Sequence, residues 1–168
     1  METRIALALC VTLGCALCGK AASDAVRRRA QVLAAMAEDL RALRIHMTGM
    51  LEPVRRALER SGNGIFTLVA QRMEDGRSAH EAWLSVRELV ARRGGPGDAL
   101  AEADLRTLDG LFEKLGQSGR DEQERLLETA LQTVEALLVG ARKRVGETDR
   151  LYVSLGLLIG LMLALVVI

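Results

Sequence analysis

The residues that could do chemistry in this chain are few, and their spacing matters more than their number. A histidine becomes a metal ligand or proton carrier when a second ligand or a paired carboxylate stands at ligand spacing from it. His46 and His80 are the two histidines of the 168-residue sequence, and neither has such a neighbour. No metal, cofactor or catalytic constellation is therefore expected, and His80 reads as a residue in the first turn of a helix. Gly14-Cys15-Ala16-Leu17-Cys18-Gly19-Lys20 satisfies the glycine and lysine spacing of a phosphate-binding loop. Ala21, however, stands where the magnesium-binding Ser or Thr is required, and no soluble strand precedes the glycines, so the match is compositional. Cys10, Cys15 and Cys18 all lie in the same apolar run, which leaves no disulfide framework for the rest of the chain, as suits a reducing compartment. The residues before Cys15 and Cys18 fit a lipid-attachment box poorly, and the three cysteines read as packing residues.

With chemistry set aside, the elements are mostly helical. Aromatic residues make up 2% of the chain, which disfavours a sandwich or barrel and suits helices built on Leu, Ala, Val and Met. Leu33, Met36, Leu40, Leu43, Met47 and Met50 step by three and four residues and predict one amphipathic helix, interrupted at Gly49 and Pro53. A short Val54 to Arg60 helix, a Ser61-Gly62-Asn63-Gly64 turn and a helix from Ile65 to about Glu74 come next. Ser78 and Glu81 have capping-box spacing and open a helix carrying Trp83, read as a core anchor. After Gly94-Gly95-Pro96-Gly97, a helix from Leu100 to Leu115 closes on Gly116. Ser118 and Asp121 repeat the capping spacing before the longest helix, whose seam is Leu127, Leu131, Val134, Leu138, Ala141, Val145, Thr148 and Tyr152. The fold class is all-α, a helical bundle over residues 21–150 flanked by two membrane helices.

Those flanks are the other informative feature. Leu151 to Ile168 carries no charge, and as a helix it reaches about 27 Å, close to the hydrocarbon thickness of a bilayer. Arg142, Lys143, Arg144 and Arg150 precede it, and cationic flanks favour the cytoplasmic side. A shorter apolar run, Ile5 to Gly19, opens the chain within the segment 1–20. It has Arg4 before it and Lys20, Arg27, Arg28 and Arg29 after it. A retained anchor agrees with the charge rule at both ends and places residues 21–150 in the cytoplasm. The alternative is an export signal cleaved near Ala21, which would make the chain an exported, tail-anchored helical adaptor. The formal net charge of +1 points to neither nucleic acid nor an acidic substrate, and no small-molecule substrate is expected. Gly156, Gly160 and Ala164, like Gly14 and Cys18, recur every four residues and offer narrow faces for close helix packing in lipid. An exposed docking surface is expected at the loop and cap holding Gly116, Ser118, Arg120 and Gln123, where helix ends leave backbone groups unpaired.

Leu115-Gly116-Gln117-Ser118-Gly119-Arg120-Asp121-Glu122-Gln123, the helix after it, Tyr152-Val153-Ser154-Leu155-Gly156-Leu157-Leu158-Ile159-Gly160, and the Ala82-Trp83 pair resemble the stage III sporulation protein AB family. Gly119 stands where family members carry Asp. The resemblance implies a non-enzymatic membrane protein of endospore-forming bacteria, placed in the mother-cell membrane around the forespore. It would belong to a transenvelope, secretion-like assembly between the two cells. It also implies a cytoplasmic helical domain similar to that of F-type platform proteins of type II secretion, with a cytoplasmic ATPase and other membrane subunits of the complex as partners.

Overall fold

In the computed structural model the described residues are 24–62 and 64–167, with the side chains of residue 75 and of residues 148–167 outside the description. Among the described residues six α-helices succeed one another and no strand occurs. They are α1 (24–44), α2 (Val54–Ser61), α3 (Ile65–Arg72), α4 (Ala79–Ala91), α5 (Glu102–Lys114) and α6 (Arg120–Val167). A π-turn, Ile45–Gly49, ends α1, and a 3-10 turn, Met73–Asp75, extends α3. The chain divides into two compact units: Arg29–Val139, and a second made of Met1–Arg28 with Gly140–Ile168.

In the Arg29–Val139 unit, α2 packs on α3, α3 on α4 and α4 on α5. Leu33, Met36, Leu40 and Leu43 of α1 are buried, as the three-and-four spacing predicts. The expected seam then fails: Met47 is half-buried and Met50 is exposed. The π-turn accounts for this, because the Met50 amide bonds back five residues to the Ile45 carbonyl (3.0 Å) and rotates the succeeding residues off the buried face. Phe66, Trp83 and Phe112, from α3, α4 and α5, form one aromatic cluster. Phe66 meets Phe112 edge-on at 5.8 Å, and Trp83 stacks on Phe112 at 5.1 Å. The buried indole keeps its polar end satisfied by donating from Nε1 to Asp109 Oδ1 (2.7 Å), an oxygen that Arg87 Nε also reaches at 2.9 Å.

Local signals set the helix ends. Glu81 N donates to Ser78 Oγ and Ser78 N to Glu81 Oε2, the reciprocal capping box. The Ser78 amide also holds the Glu81 carboxyl below its ordinary range. At α5 the N-terminal anchor is Asp104, whose Oδ2 accepts from Ala101 N (2.8 Å). Asp104 is fully buried and takes two bonds from Arg29, Nε to Oδ2 and Nη2 to Oδ1, both at 2.8 Å. This ties the first residue of the unit to the first turn of α5. Arg41 with Glu135 and Arg44 with Glu128 pair α1 with α6 in antiparallel register. On α6 the seam residues Leu127, Leu131, Val134 and Leu138 are buried.

Gly14 and Cys18, the glycine-lysine run and all three cysteines lie outside the described residues. Gly156, Gly160 and Ala164 lie on the helical backbone of α6, with their side chains outside the description. Among the residues described in full, no helix is long and apolar enough to cross a membrane.

Candidate functional site

The α5–α6 turn is built around one side chain. Leu115 leaves the helix in an extended conformation and Gly116 turns left-handed, with φ +79°. A Cβ at Gly116 would lie 2.8 Å from Val54 Cγ2, so the turn sits directly on the start of α2. Gln123, only 5% exposed, reaches back from the first turn of α6. Its Oε1 accepts from the Gly116 amide (3.0 Å), and its Nε2 donates to the Lys114 carbonyl (3.1 Å) and to Ser118 Oγ (2.7 Å). Ser118 thus serves the turn, where capping spacing with Asp121 predicts a helix cap. The Gly119 carbonyl accepts from the Gln123 amide (2.9 Å) and makes the first α6 bond. Gln123, expected on an exposed docking surface, is buried instead, and it takes up the Lys114 carbonyl, one of those that the end of α5 would leave without a partner. Arg120 is exposed at the first residue of α6.

Across Val54 from this turn is the α1–α2 connection, which spacing and composition do not single out. Leu51 adopts φ +55°, the left-handed region, and is the one residue other than glycine to do so among those described. For a residue with a Cβ that conformation costs on the order of 1–2 kcal/mol. Ile45, Met50 and Leu51 are 54%, 59% and 66% exposed, so the π-turn and the strained residue together present three large apolar side chains to solvent. The base of this knuckle is polar and partly hydrogen-bonded. Thr48, buried, donates from Oγ1 to the Arg44 carbonyl (2.8 Å), and the Glu52 amide bonds the His46 carbonyl (3.0 Å). Arg60 Nη1 donates to Glu52 Oε1 (2.6 Å). His46 Nδ1 lies 3.2 Å from Glu52 Oε2, off the line of a hydrogen bond.

The two histidines are not brought together: His46 belongs to this junction and His80 to the first turn of α4. No group of three or more His, Cys, Asp or Glu among the described residues is arranged to hold a metal ion. What this junction can do, on its geometry, is present three exposed apolar side chains close together in the chain over a partly hydrogen-bonded polar base. Such surfaces, when they gather side chains that the core could have used, mark interaction sites.

The sequence model of the stage III sporulation protein AB family matches residues 4–168. A solved structure of a stage III sporulation protein AB is similar in fold, with TM-score 0.59 and 19% identity over 71% of this chain and 97% of that one. At that identity the likeness speaks to fold alone. No curated protein sequence matches the chain. The family match spans nearly the whole chain, from before the first described helix to the end of α6, and by it the chain belongs to the stage III sporulation protein AB family.

Proposed function

We propose that this chain is a non-enzymatic platform subunit of a sporulation transenvelope, secretion-like complex. Its apolar ends are held in the mother-cell membrane, residues 21–150 face the cytoplasm, and its bundle end docks a cytoplasmic ATPase. Family membership supports the setting. The uncharged run from Leu151 to Ile168, on a helix that continues unbroken from Arg120, supports the anchor, and Arg142, Lys143 and Arg144 before it support the orientation.

The observation that carries the docking role is the knuckle of Ile45, Met50 and Leu51. Leu51 is held at an energetic cost in a conformation that turns its side chain outward. The Gly116–Gln123 turn sits on Val54, three residues after Leu51 in the chain, and carries the exposed Arg120. Exposed apolar side chains with polar groups around them have the make-up of an interface, a hydrophobic core within a polar rim.

The test uses the full chain in lipid nanodiscs and the purified ATPase of the same complex. The wild-type chain retains the ATPase, and Ile45→Asp with Leu51→Asp weakens retention about tenfold or more, as loss of a central anchor does. Equal retention by a variant whose circular dichroism and melting are those of the wild type would remove the knuckle from the interface. A wild-type chain that fails to retain the ATPase would overturn the docking role itself.

A further inference from the structure

Charge is divided unevenly between the two units. Arg29–Val139 carries fifteen Lys and Arg against eighteen Asp and Glu, a net charge of −3, while the chain-end unit carries eight against four, a net charge of +4. In the described part of that unit, Arg28 on α1 and Arg142, Lys143 and Arg144 on α6 are all exposed. Among the described residues Arg28, Arg142 and Arg144 form no ion pair, and Lys143 has a loose one, 4.0 Å from Glu147. Within the Arg29–Val139 unit Arg29, Arg41, Arg44, Arg55, Arg60 and Arg87 are each paired with a carboxylate, and there carboxylates outnumber cations, paired or not. The excess of positive charge is therefore concentrated next to the apolar ends.

We infer that Arg28, Arg142, Lys143 and Arg144 form a binding surface for anionic phospholipid headgroups, an inference that rests on the membrane-held reading above. The helix is continuous from Arg142 into the apolar run, and its rise sets Arg144 about 10 Å before Leu151. An extended arginine covers most of that distance, and the remainder is within the Debye length at physiological salt, about 8 Å. Residues 142–144 succeed one another at about 100° around the helix, so their charges are spread as a collar and not as a stripe. A collar suits a layer of headgroups surrounding the helix better than a single partner on one side. The bound chemistry is the phosphodiester of an anionic lipid, attracted by guanidinium and ammonium groups that the neighbouring carboxylates leave in excess.

The full chain reconstituted in vesicles of equimolar phosphatidylglycerol and phosphatidylcholine provides the test. Electron paramagnetic resonance of trace spin-labelled phosphatidylglycerol or phosphatidylcholine reads which lipid is held at the protein. A preference for phosphatidylglycerol of about fivefold is expected at low salt, the size set by about one well-placed cation. It should fall toward one in high salt and in Arg142→Gln/Lys143→Gln/Arg144→Gln. A ratio of one for the wild type in low salt, or a preference untouched by the triple substitution, overturns the lipid site while leaving the anchor in place. Protein released from the vesicles by alkaline carbonate sinks the membrane-held reading and the lipid site with it.

Discussion

Gln123 Oε1 accepts a hydrogen bond from the backbone amide of Gly116 at 3.0 Å, so a side chain of one helix closes the turn that ends the helix before it. Nε2 of the same side chain donates to the Lys114 carbonyl and to Ser118 Oγ. A buried donor or acceptor left without a partner costs about 1–3 kcal/mol. Gln123→Leu, which keeps the volume and removes the bonds, is expected to lower unfolding stability by about 2 kcal/mol in urea titration. Gly116→Ala is expected to cost a similar amount by a different route, through left-handed strain and the 2.8 Å approach to Val54 Cγ2. Trimming the neighbour in Gly116→Ala/Val54→Ala would then recover little, because the strain remains.

The Leu51 conformation sets stability against binding. Leu51→Gly relieves the left-handed strain but loosens the unfolded chain, for a net gain of about 1 kcal/mol in thermal or urea unfolding. The same variant loses an apolar side chain that is 66% exposed, so capture of the ATPase should weaken as the fold becomes more stable. A variant that is more stable and binds unchanged would show that the strained leucine is not part of the interface.

Arg29 and Asp104 form a two-bond ion pair with the carboxylate fully buried. Removing one partner of such a pair strands a charge, at a cost of about 3–5 kcal/mol. Arg29→Met should fall in that range by urea unfolding. Arg29→Met/Asp104→Leu should be milder than the single change, although it gives up the bond from the Ala101 amide to Asp104.

Asp39 supplies a pH dependence whose sign is fixed by its surroundings. Its carboxylate lies against the α2–α3 turn, where a Cβ on Gly62 would collide with it. Burial first, and the neighbouring Glu38 second, push its pKa from 3.8 up to about 6. A carboxyl whose pKa is raised on folding stabilises the fold while protonated, fully below about 3.8, and that contribution is lost as pH rises through about 6. Asp39→Asn keeps the neutral shape at every pH. Because the group is only about half buried, solvent screening limits the gain to about 1 kcal/mol at neutral pH. Urea midpoints should therefore favour the variant near neutral pH and converge with wild type only as pH falls toward 3.8.

Much of this architecture could be read from local spacing. The Leu33 to Leu43 stripe, the Ser78–Glu81 box, the left-handed Gly116 and the Leu127 to Leu138 seam are each written within a few residues, and each is where spacing puts it. The features that escaped are decided at long range or against local preference. Nothing in Ile45-His46-Met47-Thr48-Gly49 signals a π-turn, and a leucine is among the residues least expected to turn left-handed, so the exposed knuckle is invisible in the sequence. Arg29 and Asp104 are separated by 75 residues, a pairing that no periodicity reports. The loop from Gly116 to Gln123 is legible as a helix boundary, but not the reach of Gln123 across it, because a buried glutamine looks in sequence like any surface residue at the start of a helix.

The platform role depends most on which side of the membrane the Arg29–Val139 unit occupies. A single cysteine at the exposed position 93, Arg93→Cys, in a full-length chain with Cys10, Cys15 and Cys18 changed to serine, reports this by labelling with a membrane-impermeant maleimide. Labelling only after the cells are lysed is the result expected for a platform that a cytoplasmic ATPase can reach. Labelling of intact cells to the same extent would place the unit outside, make the first apolar run an export signal, and contradict the docking of any cytoplasmic partner.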